Sequence, residues 1–181
     1  MNDVASPDLY GALTEPTTLT IQRLLPGPIE RVWAYLTESD LRRQWLASGT
    51  MEVTVGASFE LVWRNDELTD PPGQRPAGFG AEHRMTSQIL ELDPPRKLAF
   101  TFGTNSDVTF TLEPTGAPTG QRVLLTVVHR RLTDPAMLTK VSAGWHMHLD
   151  MLVARATGAT PPPFWDGWSR LHKEYEARLG N

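Results

Sequence analysis

The chain has 181 residues, 40% of them hydrophobic and 21% charged, and this composition predicts one globular domain with a substantial core. Its formal net charge of −4 argues against a nucleic-acid-binding surface. The absence of cysteine excludes disulfides, thiolate metal sites and thiol catalysis. No apolar run reaches the about 18 residues of a membrane span, and residues 1–5 lack the basic and apolar segments of a signal peptide, so we expect a cytoplasmic protein.

The N-terminal part of the chain predicts an arm, a strand and two short helices. Residues 1–16, with scattered proline and glycine, are expected to form a flexible arm. Alternating apolar and polar residues at 17–25 predict a strand, which the Pro-Gly-Pro sequence at 26–28 ends. Apolar spacing then predicts two short helices, one at 29–36 and one within 37–46.

The middle of the chain predicts six antiparallel strands in a meander, paired at one edge with the first strand. A shift of the apolar phase between Ile89 and Leu90 indicates a β-bulge. Residues 65–82, rich in proline and glycine, interrupt the strands and are expected to be the most mobile internal segment. The last turn is expected at residues 114–120. The apolar alternation runs through Met51–Val55, Phe59–Trp63, Met85–Leu92, Leu98–Phe102, Val108–Leu112 and Val123–His129.

A long helix is predicted from Asp134 to Gly158. Asp134 can accept from free N–H groups of the first turn, Pro135 suits the first helical position, and Gly158 permits a left-handed end. Such a helix is about 34 Å long. One stripe is expected to face the core, and a less apolar stripe lies opposite. The core stripe is Met137, Val141, Trp145, His148 and Leu152, and the opposite stripe is Thr139, Ala143, His146, Asp150 and Ala154.

Gly144 lies at the edge of the core stripe. A glycine inside a helix is unfavourable unless the missing side chain permits a close backbone approach or, here, leaves room beside Trp145 for a ligand. We therefore expect Gly144→Ala to destabilise the protein by introducing packing strain.

Residues 159–181 are expected to form a C-terminal extension. After Pro161-Pro162-Pro163, the spacing of apolar residues from Phe164 to Leu179 predicts a short amphipathic helix. Its apolar side carries Phe164, Trp168, Leu171 and Tyr175, and it is expected to cover either the domain's own sheet or a second subunit of a homodimer.

These elements predict an α+β domain in which a curved antiparallel sheet wraps the long helix. A straight helix does not fill a concave sheet completely, so we expect a cavity between the two.

Three stretches of the chain carry a family resemblance. Residues 28–46 resemble the opening of the START-like (SRPBCC) superfamily, and more narrowly of its branch named after the activator of the heat-shock protein 90 ATPase. Residues 91–98, Glu-Leu-Asp-Pro-Pro-Arg-Lys-Leu, resemble a turn between strands of that branch, and Gly144-Trp145 with Leu149 and Leu152 is similar to its C-terminal helix. The resemblance covers residues 17–158 and implies a helix-grip fold with a pocket between sheet and helix. It brings no fixed catalytic motif, because the superfamily includes lipid and hydrophobic-ligand carriers, hormone sensors and aromatic polyketide cyclases.

The candidate ligand-binding residues are those expected to face this pocket. His148 is either a polar anchor for an apolar ligand or a core histidine bonded to the backbone, and His129 has the same two interpretations. The aromatic residues either line a pocket or form plain core. The full set is Trp33, Trp63, Phe100, Phe102, His129, Val141, Trp145, His148 and Leu152.

Other polar residues give weaker evidence for a role in the site. Arg23 interrupts an apolar strand face and pairs with either a ligand carboxylate or a structural one. Glu82-His83-Arg84 provides acid–base groups at a cavity mouth or forms a solvated loop end. His146 and His148 project about 200° apart on a helix, so they cannot chelate one metal ion. No P-loop, dinucleotide fingerprint or nucleophile elbow is present, which argues against kinase, dehydrogenase and hydrolase activities, and no cofactor is expected.

The leading functional hypothesis is non-catalytic binding of a small hydrophobic or amphipathic ligand, as a carrier or sensor. A cyclase- or hydratase-like enzyme that uses the same pocket is the first alternative, with a histidine or carboxylate moving a proton. A co-chaperone-type protein interaction module is the second, and it rests on the family name.

Overall fold

The computed structural model describes residues 7–116 and 121–180, so part of the turn predicted at 114–120 lies outside the described residues. Its central element is a seven-stranded antiparallel sheet with strand order β1-β2-β7-β6-β5-β4-β3. The strands are β1 (Ala12–Glu15), β2 (Thr18–Pro26), β3 (Ser58–Trp63), β4 (His83–Asp93), β5 (Lys97–Phe102), β6 (Ser106–Thr115) and β7 (Arg122–Arg130). The helices are α1 (Ile29–Thr37), α2 (Ser39–Arg42), α3 (Pro135–Thr157) and α4 (Phe164–Leu179).

The curved sheet holds the long helix α3 against its concave face, which confirms the predicted α+β helix-grip fold. The strands β3 to β7 form a meander of five of the six predicted strands, and β7 pairs with β2. The predicted bulge is also present, as a register shift between Ile89 and Glu91 where β4 pairs with β5. Alternate residues of the strands therefore face α3 and form the core with it.

Arg23 faces inward from β2 and is 1% exposed. Its guanidinium lies 2.9 Å from the Asp150 carboxylate on α3 and also donates to the Leu9 carbonyl oxygen. The partner of Arg23 is thus a structural carboxylate, and the ion pair fastens the sheet to the helix.

Helix α3 has the predicted ends but not the predicted single buried face. The Asp134 carboxylate accepts from the Ala136 N–H at 3.0 Å, and Gly158 ends the helix at φ 75°. The prediction of one core stripe is wrong, because Ala143, His146 and Ala154 on the opposite stripe are buried too. The sheet covers one side of the helix and α4 covers another.

Helix α4 packs against α3, whereas we expected a sheet or a second subunit to receive it. Its apolar side is buried as predicted, with Leu171 and Tyr175 completely covered. The Tyr175 hydroxyl accepts from the Gly11 N–H at 2.7 Å and lies 2.9 Å from Nδ1 of His146 on α3. These contacts join α4, α3 and the segment before β1.

Two local predictions differ from the structure. Met51–Val55 is not a strand, because no strand among the described residues pairs with it, and Val53 and Val55 are exposed. Within the stretch predicted as an arm, Ala12–Glu15 forms the edge strand β1 on β2. Among the described residues, no helix is long and apolar enough to cross a membrane.

Candidate functional site

A cavity of about 400 Å³ lies beside α3, at the edge of the sheet where β3 and β5 end and β4 begins. Helix α3 supplies one wall, residues from the strands supply a second, and α4 with residues 65–79 closes the third. A volume of this size is in the range that holds a small organic ligand. Leu46, from the segment after α2, also lines the cavity.

The α3 wall follows directly from helical periodicity. Its members follow one another at alternating intervals of three residues and one residue, so that they recur every four residues or fewer and project from one side of the helix. Gly144 leaves this wall open, because a Cβ atom built there would meet nothing within 4 Å. The expectation of close packing at Gly144 is therefore wrong. The α3 residues on the wall are Met137, Lys140, Val141, Gly144, Trp145 and His148.

The outer wall combines α4 with the proline-rich segment after β3. The indole N–H of Trp165 donates to the Asp66 carboxylate at 2.7 Å, and its backbone N–H donates to the Pro72 carbonyl oxygen at 2.9 Å. The Phe79 ring lies 5.0 Å from Trp165 and 4.9 Å from Trp168. Hydrogen bonds and ring contacts thus hold residues 65–79 against α4. The lining residues on this side are Asn65, Ala77, Gly78, Phe79, Phe164, Trp165 and Trp168.

His148 belongs both to the core and to the cavity. Its Nδ1 lies 2.8 Å from the Trp45 carbonyl oxygen, which can only accept, so Nδ1 carries the proton and donates. Burial lowers the pKa of His148 to about 4, and the imidazole is neutral at physiological pH. Its lone pair is then on Nε2, which has no hydrogen-bond partner among the described residues. Both interpretations of His148, backbone-bonded core histidine and polar group in the cavity wall, fit this geometry.

His129 lies behind the cavity wall, where it orients the residues that form it. Its Nδ1 accepts from the indole N–H of Trp145 at 3.0 Å, so Nε2 carries the proton and donates to the Ser106 hydroxyl at 3.0 Å. Ser106 in turn donates to the Phe102 carbonyl oxygen at 2.5 Å. Burial lowers the pKa of His129 to about 3, which keeps the ring neutral.

The mouth of the cavity is lined by charged and polar side chains, unlike its apolar walls. Lys140 is exposed there, and it forms no ion pair with any residue in 7–116 or 121–180. His83 lies beside the Trp63 ring at 5.6 Å. Glu82 points to Arg64 and Arg84 on the surface, and its hydrogen bond with Arg84 holds the pKa of the Glu82 carboxyl below its usual value.

The predicted site residues divide into two groups. The structure brings together Trp63, Phe102, Val141, Trp145 and His148 on the cavity wall. It places the others elsewhere: Phe100 and Leu152 in the core, Trp33 on α1 against that core, and His129 behind Trp145.

The residues of the outer wall and of the cavity mouth were not among the predicted site residues. Phe164, Trp165 and Trp168 stand in a helix whose aromatic content indicated packing, but nothing in its periodicity indicates which surface receives it. Lys140 and Met137 are on the α3 wall at the spacing of the predicted stripe, so their position was accessible from the sequence. Asn65 and Phe79 lie in a segment without periodicity, where no sequence signal exists.

A second polar cluster lies on the other side of α3 and does not border the cavity. It contains Arg23, Asp150, His146 and Tyr175. Burial lowers the pKa of His146 to about 4 and raises that of Tyr175 to about 12. These groups are neutral or paired at physiological pH and connect α3 to β2 and α4.

Several solved structures are similar to this chain. A Bordetella parapertussis protein solved by solution NMR is 38% identical, with 96% of this chain and 92% of that chain covered and a TM-score of 0.77. The crystal structure of CalU16 from Micromonospora echinospora has 21% identity, coverage of 91% and 89%, and a TM-score of 0.64. A conserved protein of unknown function from Enterococcus faecalis has 20% identity, coverage of 94% and 90%, and a TM-score of 0.65. The last two likenesses show the fold alone.

No curated protein is significantly similar to the chain. Residues 26–157 match the family described as Activator of Hsp90 ATPase homolog 1-like protein, which confirms the resemblance seen in residues 28–46 and 91–98. The match includes the sheet from β3 to β7, both short helices and all of α3, and it ends before α4. The chain therefore belongs to the family of Activator of Hsp90 ATPase homolog 1-like proteins.

Proposed function

We propose that the protein binds a small, largely apolar ligand in the cavity between α3, α4 and the β3–β5 end of the sheet, as a carrier or sensor. The observation that carries the proposal is a cavity of about 400 Å³ whose walls are mainly aromatic and aliphatic side chains. Pockets of this kind gain affinity from buried apolar surface and specificity from a few placed polar groups. Trp63, Trp145 and Trp168, from three different elements, provide the apolar surface here.

The chemistry of the lining favours binding over proton transfer. His148, the buried titratable group on the wall, has its pKa lowered to about 4 and is a weak base at physiological pH. Among the described lining residues, none is an aspartate, glutamate, serine or threonine. A cyclase- or hydratase-like reaction needs a histidine or carboxylate that moves a proton near its substrate, and the second lining histidine, His83, lies at the exposed mouth of the cavity. The co-chaperone role, the cytoplasmic location and the homodimer stay predictions.

A matched pair of leucine variants tests the proposal. Gly144→Leu places a leucine side chain in the open space of the cavity, whereas Ala136→Leu places the same side chain at an exposed position of α3 outside the lining. We expect Gly144→Leu to weaken binding of anilinonaphthalene sulfonate, a fluorescent amphipathic probe with an aromatic body and an anionic group, by about tenfold or more, equivalent to roughly 1.4 kcal/mol. Ala136→Leu should leave it unchanged.

Native mass spectrometry of the purified protein supplies an independent observation. A small molecule that co-purifies with the wild-type protein and is absent from Gly144→Leu supports the proposal. Equal probe affinities in wild type and both variants would refute it, because the probe would then bind outside the cavity.

A further inference from the structure

We infer, on the basis of the proposed binding function, that the ligand is an aromatic hydroxy acid. Its planar ring system lies between the aromatic walls, its hydroxyl donates to His148 at the closed end, and its carboxylate meets Lys140 at the mouth. The three parts of the inference come from three separate features of the lining.

The first feature is the number of aromatic rings. Seven lining residues are tryptophan or phenylalanine, and they come from β3, β5, α3, α4 and the 65–79 segment. Aromatic side chains pair well with other planar rings in stacked and edge-to-face arrangements, and gain more there than with flexible aliphatic chains. A flat, unsaturated ligand body uses this wall more fully than a fatty acyl chain does.

The second feature is two acceptors on the cavity wall without a hydrogen-bond partner among the described residues, of which the Asn65 oxygen is fully buried. Because Nδ1 of His148 donates to the Trp45 carbonyl oxygen, the group that remains for a ligand is the lone pair on Nε2. The Oδ1 atom of Asn65 is buried and has no hydrogen-bond partner among the described residues. A buried acceptor without a donor is unfavourable, so a ligand that supplies a hydroxyl proton gains where an apolar ligand does not.

The third feature is charge at the mouth. The Lys140 ammonium is exposed on the rim and forms no ion pair within the described parts of the chain. No carboxylate stands among the described lining residues to compensate it. An anionic group on the ligand would meet a free cation at this end of the cavity and a neutral acceptor at the other.

The spacing of these groups sets the length of the ligand. Lys140 and His148 are eight residues apart on α3, which corresponds to about 12 Å along the helix axis. The lysine side chain is flexible and shortens this distance. A system of two or three fused rings with the hydroxyl and the carboxylate at opposite ends fits both the spacing and a volume of about 400 Å³.

The test compares three probes by isothermal titration calorimetry at neutral pH: 6-hydroxy-2-naphthoic acid, 2-naphthoic acid without the hydroxyl, and 2-naphthol without the carboxylate. In the wild-type protein we expect the hydroxy acid to bind best. Loss of the hydroxyl should weaken binding by about 3- to 10-fold, the usual effect of one hydrogen bond. Loss of the carboxylate should weaken it by about 3-fold, because the partner is exposed.

Lysine variants identify the cation. Lys140→Met should weaken binding of the two acids by about 3-fold and leave 2-naphthol unaffected. Lys173→Met is the matched control, since Lys173 is exposed on α4 outside the lining. The affinities of all three probes should be unchanged by it.

The outcomes separate this inference from the proposed function. Three probes of equal affinity in the wild type, or equal effects of Lys140→Met and Lys173→Met, would overturn the hydroxy-acid inference while the cavity still binds apolar ligands. Failure of all three probes to bind would overturn both.

Discussion

The indole N–H of Trp145 donates to Nδ1 of His129 across a distance of 3.0 Å. Because His129 is completely buried and neutral, this bond sets which ring nitrogen carries the proton and directs Nε2 towards Ser106. The Phe102 ring packs edge-on against the same imidazole at 4.7 Å. One buried histidine therefore orients two side chains of the cavity wall without touching the cavity.

Removal of this histidine should leave a buried donor without a partner. His129→Leu is expected to lower the free energy of unfolding by about 1–3 kcal/mol, because the Trp145 N–H loses its acceptor. The double variant His129→Leu with Trp145→Phe removes both polar partners and should lose less than the sum of the two single changes. Urea unfolding of the four proteins measures this coupling, and strictly additive losses would contradict it.

The buried histidines predict a loss of stability in mild acid. The pKa values of His129, His146 and His148 are lowered by burial to about 3, 4 and 4, from an ordinary value near 6.5. As the pH falls below about 6.5, the unfolded chain takes up these protons and the folded chain does not, so unfolding becomes more favourable. The loss should approach roughly 1.4 kcal/mol per pH unit for each histidine. It should stop near pH 4 for His146 and His148 and near pH 3 for His129.

Urea unfolding at pH values of about 7.5, 6 and 5 tests the acid prediction. The free energy of unfolding of His146→Gln should fall less steeply between the two lower pH values than that of the wild type. The difference should correspond to about one proton fewer taken up on unfolding. A free energy of unfolding that stays constant over this range would show that these rings are not neutral in the folded state.

Gly144→Ala should stabilise the protein, the reverse of the expectation from the sequence. A Cβ atom at this position points into open space of the cavity, so the strain expected from close packing does not arise. What remains is the helix propensity of alanine over glycine, worth about 0.5–1 kcal/mol. A thermal melt should show a higher midpoint, and a lower one would point to hidden close packing.

The Asp66 carboxylate should contribute most to the packing of residues 65–79 against α4. It accepts from the Trp165 indole on one oxygen and from Arg75 at 2.8 Å on the other. Asp66→Ala is expected to lower the free energy of unfolding by about 1–3 kcal/mol and to speed hydrogen exchange of the Gln74 amide, which donates to Asp166 on α4. Glu67→Ala, at an exposed neighbouring position, is the control and should change neither quantity.

Much of the fold was predictable because it depends on local rules. The cap at Asp134, the left-handed end at Gly158 and the bulge near Leu90 each follow from a few neighbouring residues. The apparent strand at Met51–Val55 shows the limit of such rules. Alternation describes a segment that can pair, but no strand within residues 7–116 and 121–180 pairs with this one.

The candidate site was only half predictable for the same reason. The α3 wall repeats with the helical period, so Val141, Trp145 and His148 could be recognised from spacing alone. The docking of Trp165 on Asp66 joins residues far apart in the chain without any shared period. Such contacts depend on how α4 folds back, which periodicity does not encode.

The position of α4 has a consequence for how binding would be observed. A ligand that touches Trp165 and Trp168 contacts α3 at the same time, so it holds together two segments that could otherwise separate. By thermodynamic linkage, whatever affinity a ligand gains from α4 must reappear as an equal increase in the free energy of undocking that helix. Resistance of the C-terminal segment to proteolysis would then report occupancy of the cavity, even for a ligand that has no signal of its own.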